Sequence, residues 1–150
     1  MSAEFHAQMM QKALALAKKA AQLDEVPVGA LIVREGRIIA RAYNKRETLK
    51  SPTAHAELLA IQKAAKKLGG WRLTGCTLYV TLEPCPMCAG AIVNARIPTV
   101  VFGAPDPKAG ALGSVYDLAQ GKLNHTPEVI SGVLQKECGD VLSDYFKKKR

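Results

Sequence analysis

Apolar side chains recur every three or four residues in three parts of the chain, and this spacing predicts amphipathic helices. The first predicted helix covers residues 3–22. The second starts at Pro52-Thr53 and ends at Leu68, where two glycines follow and terminate it. The last covers residues 135–148, and its apolar side is formed by Val141, Leu142, Tyr145 and Phe146.

Residues with a preference for β-structure dominate four shorter segments, which we interpret as strands: 28–33, 37–43, 76–83 and 98–104. The turn residues 34–36 separate the first two strands, so these form a hairpin. Pro84 ends the third strand, and a further helix opens at Cys85 and continues through Val93. Residues 127–133 fit either a fifth strand or the start of a helix.

Strands that alternate with helices are typical of an α/β domain, because each crossover helix packs on a face of the sheet. We therefore predict a three-layer α/β/α sandwich with a mixed, about five-stranded sheet whose later strands are parallel. The chain of 150 residues has the size of one ordinary domain, and no repeat or linker divides it. The prediction is a single domain over residues 1–150.

The composition is that of a soluble globular protein, with 48% hydrophobic and 23% charged residues. No apolar run approaches the length of a membrane span. The N-terminal segment is too polar for the core of a signal peptide, and His6 within it is expected on the surface. Four cysteines, two of them in a C-x-x-C pair, do not indicate a disulfide framework. We therefore expect a cytoplasmic protein that makes no membrane contact.

The formal net charge is +8, and residues 147–150 supply four of the positive charges. Such an excess favours polyanionic partners, among which nucleic acid is the commonest. A solvated helix end that binds nothing explains the same charges equally well. The charge alone therefore does not decide between the two.

Two thiols, an imidazole and a carboxylate form the candidate chemical centre. Cys85 and Cys88 stand three positions apart, His55 precedes them by thirty residues, and Glu57 follows His55 by two. Three nitrogen and sulfur ligands leave the fourth position of a tetrahedral zinc open for water, as in catalytic zinc sites. Zinc held there would lower the pKa of that water toward neutrality. Glu57 would take up the proton and deliver it to the substrate.

A C-x-x-C pair also occurs in redox dithiols and in structural zinc sites. The redox interpretation requires a thioredoxin-like context and explains neither His55 nor Glu57. A structural Cys₃His site would need a fourth ligand. Cys76 lies at the far end of its predicted strand, about 20 Å away, whereas the sequence does not place Cys138 relative to the pair. Ordinary burial is the simpler interpretation of both thiols.

The motifs His55-Ala56-Glu57 and Pro84-Cys85-x-x-Cys88 resemble the signature of the zinc-dependent cytidine/deoxycytidylate deaminase superfamily. The flanking sequence is similar to the bacterial tRNA-specific adenosine deaminases over residues 4–147. The stretches that carry this second resemblance are residues 25–30, Asn44, 52–57, 81–91, 101–106, 110–114 and 142–146.

This resemblance implies conversion of adenosine to inosine at the wobble position of an arginine tRNA anticodon. It implies Glu57 as the proton shuttle and one zinc ion per subunit, held by His55, Cys85 and Cys88. It also implies a homodimer, with the helix over residues 85–95 near the interface.

The resemblance further implies a set of substrate contacts. Asn44, which by itself would be a turn residue at a strand end, would hydrogen-bond the flipped base or its sugar. The contacts expected along the channel for the anticodon loop are Asp106, Lys108, His125 and Phe146.

Two competing functions use the same residues. A deaminase of a free base or nucleoside, such as cytosine, cytidine or guanine, would share the zinc ligands and Glu57. A non-catalytic, zinc-stabilised RNA-binding module would need the ligands but not the carboxylate of Glu57. The sequence favours the tRNA enzyme through the flanking stretches and the basic charge.

Overall fold

In a computed structural model, which describes residues 1–149, the chain forms four α-helices and five β-strands. The helices are α1 (Ala3–Gln22), α2 (Ala56–Leu68), α3 (Pro86–Asn94) and α4 (Gln135–Lys148). The strands are β1 (Gly29–Arg34), β2 (Arg37–Tyr43), β3 (Cys76–Leu82), β4 (Thr99–Ala104) and β5 (Glu128–Ile130). None of these helices combines the length and apolar character that a membrane crossing requires.

The strands form one mixed sheet in the order β2-β1-β3-β4-β5. Strand β1 is antiparallel to β2, its hairpin partner, and also to β3. Strands β3, β4 and β5 are parallel to one another. The predicted α/β fold with a mixed five-stranded sheet and parallel later strands is confirmed. The ambiguous segment over residues 127–133 contains a strand.

Helices cover both faces of the sheet, because successive side chains of a central strand point to opposite sides. On one face, α1 and α4 pack their apolar residues on Leu31, Tyr79 and Val101. On the other face, α2 and α3 pack on Ile32 and Leu78, the immediate neighbours in sequence. This arrangement confirms the predicted three layers and explains why the strand segments read as nearly continuous apolar runs.

Gly29 allows α1 to lie unusually close to the sheet. A side chain at this position would overlap the backbone carbonyl of Ala13 and come within 2.7 Å of the Ala17 nitrogen. The backbone N–H of Gly29 also donates to the hydroxyl of Thr81 at 3.2 Å. These contacts tie the start of β1 to the end of β3.

His6 is buried, so its expected surface position is wrong. The residue shares a helix face with Met10 and Ala13, and this face packs on the sheet. Its Nδ1 lies 2.7 Å from the hydroxyl of Tyr79, so the polar ring is hydrogen-bonded inside the core. Burial lowers the pKa of His6, which favours the neutral imidazole.

Helix α2 begins at Ala56, later than the predicted start at Pro52-Thr53. The backbone N–H of Lys45 donates to the carbonyl of Ala54 at 3.0 Å, which holds the residues before the helix against the preceding loop. His55 is therefore the N-cap, with an extended backbone conformation, and it lies before the first turn of the helix.

The strand register brings the ends of several strands to one edge of the sheet. Gly29 at the start of β1 pairs with Tyr43 at the end of β2. Leu82 at the end of β3 pairs with Ala104 at the end of β4. The segments that precede β1 and follow β2, β3 and β4 consequently meet at this edge, together with the N-termini of α2 and α3.

Candidate active site

His55, Cys85 and Cys88 converge at this edge and form a group that could hold a metal ion. The Nδ1 of His55 lies 3.5 Å from the Sγ of Cys88 and 3.7 Å from the Sγ of Cys85. In a tetrahedral zinc site the bond lengths of about 2.0–2.3 Å separate a nitrogen and a sulfur ligand by about 3.6 Å. The imidazole nitrogen therefore lies at the distance from each sulfur that a tetrahedral zinc requires, and all three donor atoms lie within 4.8 Å of one another.

Helix N-termini position all three of these side chains. His55 is the N-cap of α2, and Cys85 is the N-cap of α3. Neither side chain forms a capping hydrogen bond, so the imidazole and the thiol remain available to a ligand. Pro86 occupies the first position of α3, where its missing N–H is not needed. One turn of helix then brings Cys88 to the same side as Cys85.

The pKa values of the two thiols are shifted in opposite directions from the ordinary value of a cysteine. A hydrogen bond from Cys88 lowers the pKa of Cys85 to about 4, despite the opposing effect of burial. The same contact, together with burial, raises the pKa of Cys88. The hydrogen bond with Cys85 raises the pKa of His55. Cysteine binds a metal as the thiolate and histidine as the neutral imidazole, and two thiolates with one imidazole form a donor set that suits the borderline-soft zinc ion.

Glu57 lies beside the metal-ligating group but is not a member of it. Its side chain is only 4% exposed, and it lines the same cavity as His55 and Cys85. Burial raises the pKa of Glu57 to about 7. A carboxyl group that titrates near neutrality is suited to both accept and return a proton.

The cavity at this site has a volume of about 170 Å³. Ligand pockets for drug-sized molecules typically measure about 300–1,000 Å³, so this cavity suits a single ring system better than a whole nucleotide. Besides the residues named above, its walls contain Val26, Val28, Asn44, Arg46, Leu82, Glu83, Asp106 and Ala109.

Asn44 is buried at the wall of the cavity, with 6% of its surface exposed. Its side-chain Oδ1 accepts a hydrogen bond from the backbone N–H of Ala56 at 2.9 Å. Because this bond uses the carbonyl side of the amide, the NH₂ group is the part that can donate to a molecule in the cavity. The residue thus has both a structural contact and a free donor.

A larger groove of about 690 Å³ adjoins the cavity. Val26, Arg46, Leu82 and Asp106 line both spaces. The groove continues between the loop after β4 and helix α4, where Lys108, Phe146 and Lys147 line it. The structure therefore brings three of the four residues predicted along the channel, Asp106, Lys108 and Phe146, to one surface beside the metal-ligating group.

His125 does not join this surface. Its Nε2 lies 2.6 Å from the carbonyl of Ile97, to which the ring N–H donates. Ile97 precedes β4, whose six residues span about 20 Å, and the cavity lies at the other end of that strand. Within this chain His125 anchors the segment before β5, and its assignment as a substrate contact stays a prediction.

The two remaining cysteines are also remote from the metal-ligating group. Cys138 is buried on α4 against Gly103, on the sheet face opposite α2 and α3. Cys76 is buried at the start of β3. Over residues 1–149, the group capable of holding a metal contains His55, Cys85 and Cys88 alone. This placement excludes the four-ligand structural zinc site.

Sequence reasoning did not assign a role to two buried carboxylates beside the cavity, Glu25 and Glu83. The carboxylate of Glu25 accepts hydrogen bonds from the N–H of Glu47 (3.1 Å), the N–H of Thr48 (2.6 Å) and the Thr48 hydroxyl (2.7 Å). It therefore holds the loop that carries Arg46. No local signal marks this anchor, because the partners of Glu25 lie 22 and 23 positions away along the chain.

Comparison with known proteins identifies the family. A family model described as MafB19-like deaminase matches residues 4–150. A tRNA-specific adenosine deaminase from Bacillus subtilis is 56% identical over 142 residues, which cover 94% of this chain and 88% of that protein. One from Haemophilus influenzae is 51% identical over 149 residues, covering 98% of this chain and 86% of that protein.

A solved structure from work on A-to-I editing by tRNA:A34 deaminases at the wobble position of tRNA superposes with a TM-score of 0.85. It is 48% identical, and the match covers 89% of this chain and 97% of that one. The family model spans the residues of both metal-ligating motifs, because it starts at residue 4 and ends at residue 150. The chain belongs to the MafB19-like deaminase family and, within it, to the tRNA-specific adenosine deaminases.

Proposed function

We propose that the protein converts adenosine to inosine at the wobble position of a tRNA anticodon, with an arginine tRNA as the substrate. The observation that carries this proposal is the continuity between a base-sized cavity at the metal-ligating group and a long, partly basic groove. The tRNA-specific relatives support it through their high identity over nearly the whole chain.

The proposed chemistry is hydrolytic. Zinc held by His55, Cys85 and Cys88 would supply Lewis-acid activation of the attacking water. Glu57 accepts a proton from that water and delivers it to the ring nitrogen next to C6 of adenine. A bond forms between the water oxygen and C6, and the bond between C6 and the exocyclic nitrogen then breaks. Glu57 takes the second proton from the hydroxyl group added to C6 and passes it to the exocyclic nitrogen as that bond breaks, so the nitrogen leaves as ammonia and C6 becomes a carbonyl carbon.

The surroundings of Glu57 suit this role. The carboxyl group is buried, so proton transfer takes place away from bulk water and the pKa stays near neutrality. The NH₂ group of Asn44 would donate to the base or its sugar and hold C6 near the attacking water. This contact would fix the orientation of the base, and holding the reacting atoms in place lowers the barrier.

The groove supports an RNA substrate over a free nucleoside. Bases of single-stranded loops can be splayed out and stacked on aromatic rings, while phosphates contact basic side chains. Phe146 is 46% exposed on the groove, and Arg46, Lys108 and Lys147 also line it. A flipped base would fill the cavity while the rest of the loop lies in the groove.

We also propose a cytoplasmic homodimer with α3 at the interface. The outward side of this helix has no charged residue and is formed by Pro86, Met87, Gly90, Ala91 and Asn94. The absence of charge on this side matches the depletion of charged residues at the core of protein interfaces. Light scattering during size-exclusion chromatography should give twice the mass of one chain, and Ala91→Glu should reduce it. A monomeric wild-type protein would contradict this part of the proposal.

The substrate assignment is tested by incubating the holoenzyme with an arginine tRNA anticodon stem-loop and, separately, with free adenosine. We expect inosine from the stem-loop and none from the nucleoside. Equal turnover of free adenosine would contradict the RNA assignment, and turnover of guanine, cytosine or cytidine in its place would support a deaminase of a free base or nucleoside. The Glu57→Ala variant should keep zinc and RNA affinity but lose deamination, which a non-catalytic RNA-binding module does not predict.

A further inference from the structure

Glu83 is a buried carboxylate between β3 and the metal-ligating motif. It is 2% exposed and stands two residues before Cys85. The carboxylate accepts hydrogen bonds from the backbone N–H groups of Asp106 (3.0 Å), Leu112 (3.0 Å) and Ser114 (3.1 Å), and from the Ser114 hydroxyl. Three points of the loop over residues 105–114 are thus fixed to one side chain.

These four donors occupy the acceptor capacity of the carboxylate. An ionised carboxylate has two oxygens that only accept, and each oxygen here receives two hydrogen bonds. A glutamine at this position would present an NH₂ group to N–H donors on one side. The site therefore requires a carboxylate, and an amide of the same size would lose about half of the contacts.

Gly110 shows how tightly the loop encloses this carboxylate. A Cβ atom at Gly110 would overlap the side chain of Glu83. The N–H of Gly110 donates to the carbonyl of Asp106, and the N–H of Ala111 donates to the carbonyl of Pro84, both at 2.9 Å. The loop therefore cannot shift relative to the metal-ligating motif without breaking several of these contacts.

The same loop carries side chains of the substrate surface. Asp106 lines both the cavity and the groove, and Lys108 lines the groove. The Oδ1 of Asp106 accepts the N–H of Lys108 at 3.0 Å and that of Ala109 at 3.2 Å, which orders the turn. The position of this turn depends on where the carboxylate of Glu83 holds the backbone of Asp106.

We infer that Glu83 is a positioning residue for substrate binding, which acts by holding Asp106 and its loop at the mouth of the cavity. It does not touch the reacting atoms. Because only Pro84 separates it from Cys85, one short segment sets both a metal ligand and the rim over which the substrate enters. The inference rests on the proposed function insofar as the substrate at that rim is RNA.

The first test is a double-mutant cycle with the zinc-loaded enzyme and an anticodon stem-loop. Glu83→Gln should raise KM by about tenfold, because the rim that carries Asp106 is no longer held at the mouth of the cavity, and should leave the zinc content at one per chain. Asp106→Ala should cost clearly less in the Glu83→Gln background than in the wild type, because its placement is already lost. Additive costs, or a loss of zinc, would overturn the inference.

Glu25→Gln is the matched control for this cycle. It removes the same charge from a buried carboxylate that holds a different loop, over residues 47–48. We expect its effect on KM to add to that of Asp106→Ala. Equal coupling of both carboxylates to Asp106 would mean that general destabilisation, and not positioning, explains the result.

Amide hydrogen exchange tests the anchor without any assumption about the substrate. Glu83→Gln should accelerate exchange at Leu112 and Ser114, whereas Glu25→Gln should accelerate it at Glu47 and Thr48 and leave the first pair unchanged. If the wild type fails to deaminate the stem-loop, the proposed function fails while this measurement still tests the anchor. Unchanged exchange at Leu112 and Ser114 would overturn the inference.

Gly110→Ala provides a steric test that keeps the carboxylate and does not depend on the folding of Glu83→Gln. The added methyl group displaces Glu83, so the variant should reproduce the rise in KM. Gly70→Ala is its control, because a Cβ there meets nothing within 4 Å. A wild-type KM for Gly110→Ala would contradict the positioning role.

Discussion

The side-chain carbonyl of Asn44 accepts a hydrogen bond from the backbone N–H of Ala56 at 2.9 Å. This bond joins the end of β2 to the first residue of α2 and satisfies an N–H that the N-cap side chain of His55 leaves unpaired. The residue that can donate to a base in the cavity therefore also fixes the helix end that carries His55 and Glu57.

The first prediction separates these two roles of Asn44. Asn44→Ala should lower the free energy of unfolding by about 1 kcal/mol, because a helix cap is lost, and should also reduce kcat/KM. Asn44→Asp keeps the acceptor for Ala56, so it should retain most of the stability but lose the NH₂ donor and the activity. Thermal denaturation and stem-loop kinetics measure the two effects. Full activity of Asn44→Asp would show that the amide does not donate to the substrate.

The second prediction concerns Glu57, which we expect to move protons without binding the metal. Glu57→Gln preserves the shape of the side chain, so the fold and the zinc content should remain. The value of kcat should fall by roughly 10²–10⁴-fold, the usual contribution of a general acid and base. Glu4→Gln removes the same charge from an exposed position in α1 and should match the wild type. Zinc analysis and single-turnover kinetics provide the measurement, and loss of zinc from Glu57→Gln would point to a ligand role.

Metal removal gives the third prediction. Chelation should abolish deamination and lower Tm, because a ligand that binds only the folded state stabilises it, and added zinc should restore both. Cys88→Ala should prevent zinc binding. Cys138→Ala also removes a buried thiol but lies on the other sheet face, so it should lose stability and keep one zinc per chain. Equal zinc content in the two variants would contradict the proposed ligand set.

The fourth prediction is an acid-dependent loss of stability that involves Glu25. Burial opposes the charge on this carboxylate, but the hydrogen bonds from Thr48 and Glu47 outweigh it and place the pKa of Glu25 below its ordinary value of 4.5. Since the pKa in the folded state is the lower one, the contribution is complete above pH 4.5 and is lost as the pH falls through the pKa of the folded state.

Glu25→Gln should therefore cost about 1.5–3 kcal/mol at neutral pH, the range for hydrogen bonds to a charged group. The difference from the wild type should shrink as the pH falls below 4.5. Urea denaturation between pH ~3 and ~7 measures the free energy of unfolding for both proteins. A difference that stays constant over this range would show that the ionised carboxylate is not the stabilising form.

The layers of the fold and the metal ligands could be predicted because their signals are local. Apolar spacing separates helices from strands, and the ligands lie in two short motifs. The burial of His6 depends on Tyr79, 73 positions away, and such a partner has no local signal. The start of α2 was misplaced for the same reason, because the acceptor for its first N–H comes from Asn44, twelve residues earlier.

Loops limited the prediction of the remaining site residues. His125 lies in a segment without apolar periodicity, so only the resemblance suggests a role for it, and the spacing gives no sign that its ring hydrogen-bonds the carbonyl of Ile97. Arg46 reaches the cavity because Glu25 holds the neighbouring residues by hydrogen bonds across the loop. Such contacts depend on three-dimensional closure of the loop, which neither spacing nor composition encodes.

The last prediction concerns the groove and its salt dependence. Phe146→Ala should weaken binding of the anticodon stem-loop by about 1–3 kcal/mol if a base stacks on the ring, with little effect on Tm because the ring is exposed.

Lys147→Ala should instead lower the slope of log K against log salt by about 0.7, the value for one phosphate contact on a single strand. Lys66→Ala is the control, since this exposed lysine lies in the last turn of α2, about 15 Å from its first residue. Fluorescence anisotropy at several salt concentrations distinguishes these outcomes. An equal change of slope for Lys66 and Lys147 would mean that the basic charge attracts RNA without a defined groove, and the structure would then explain catalysis but not RNA recognition.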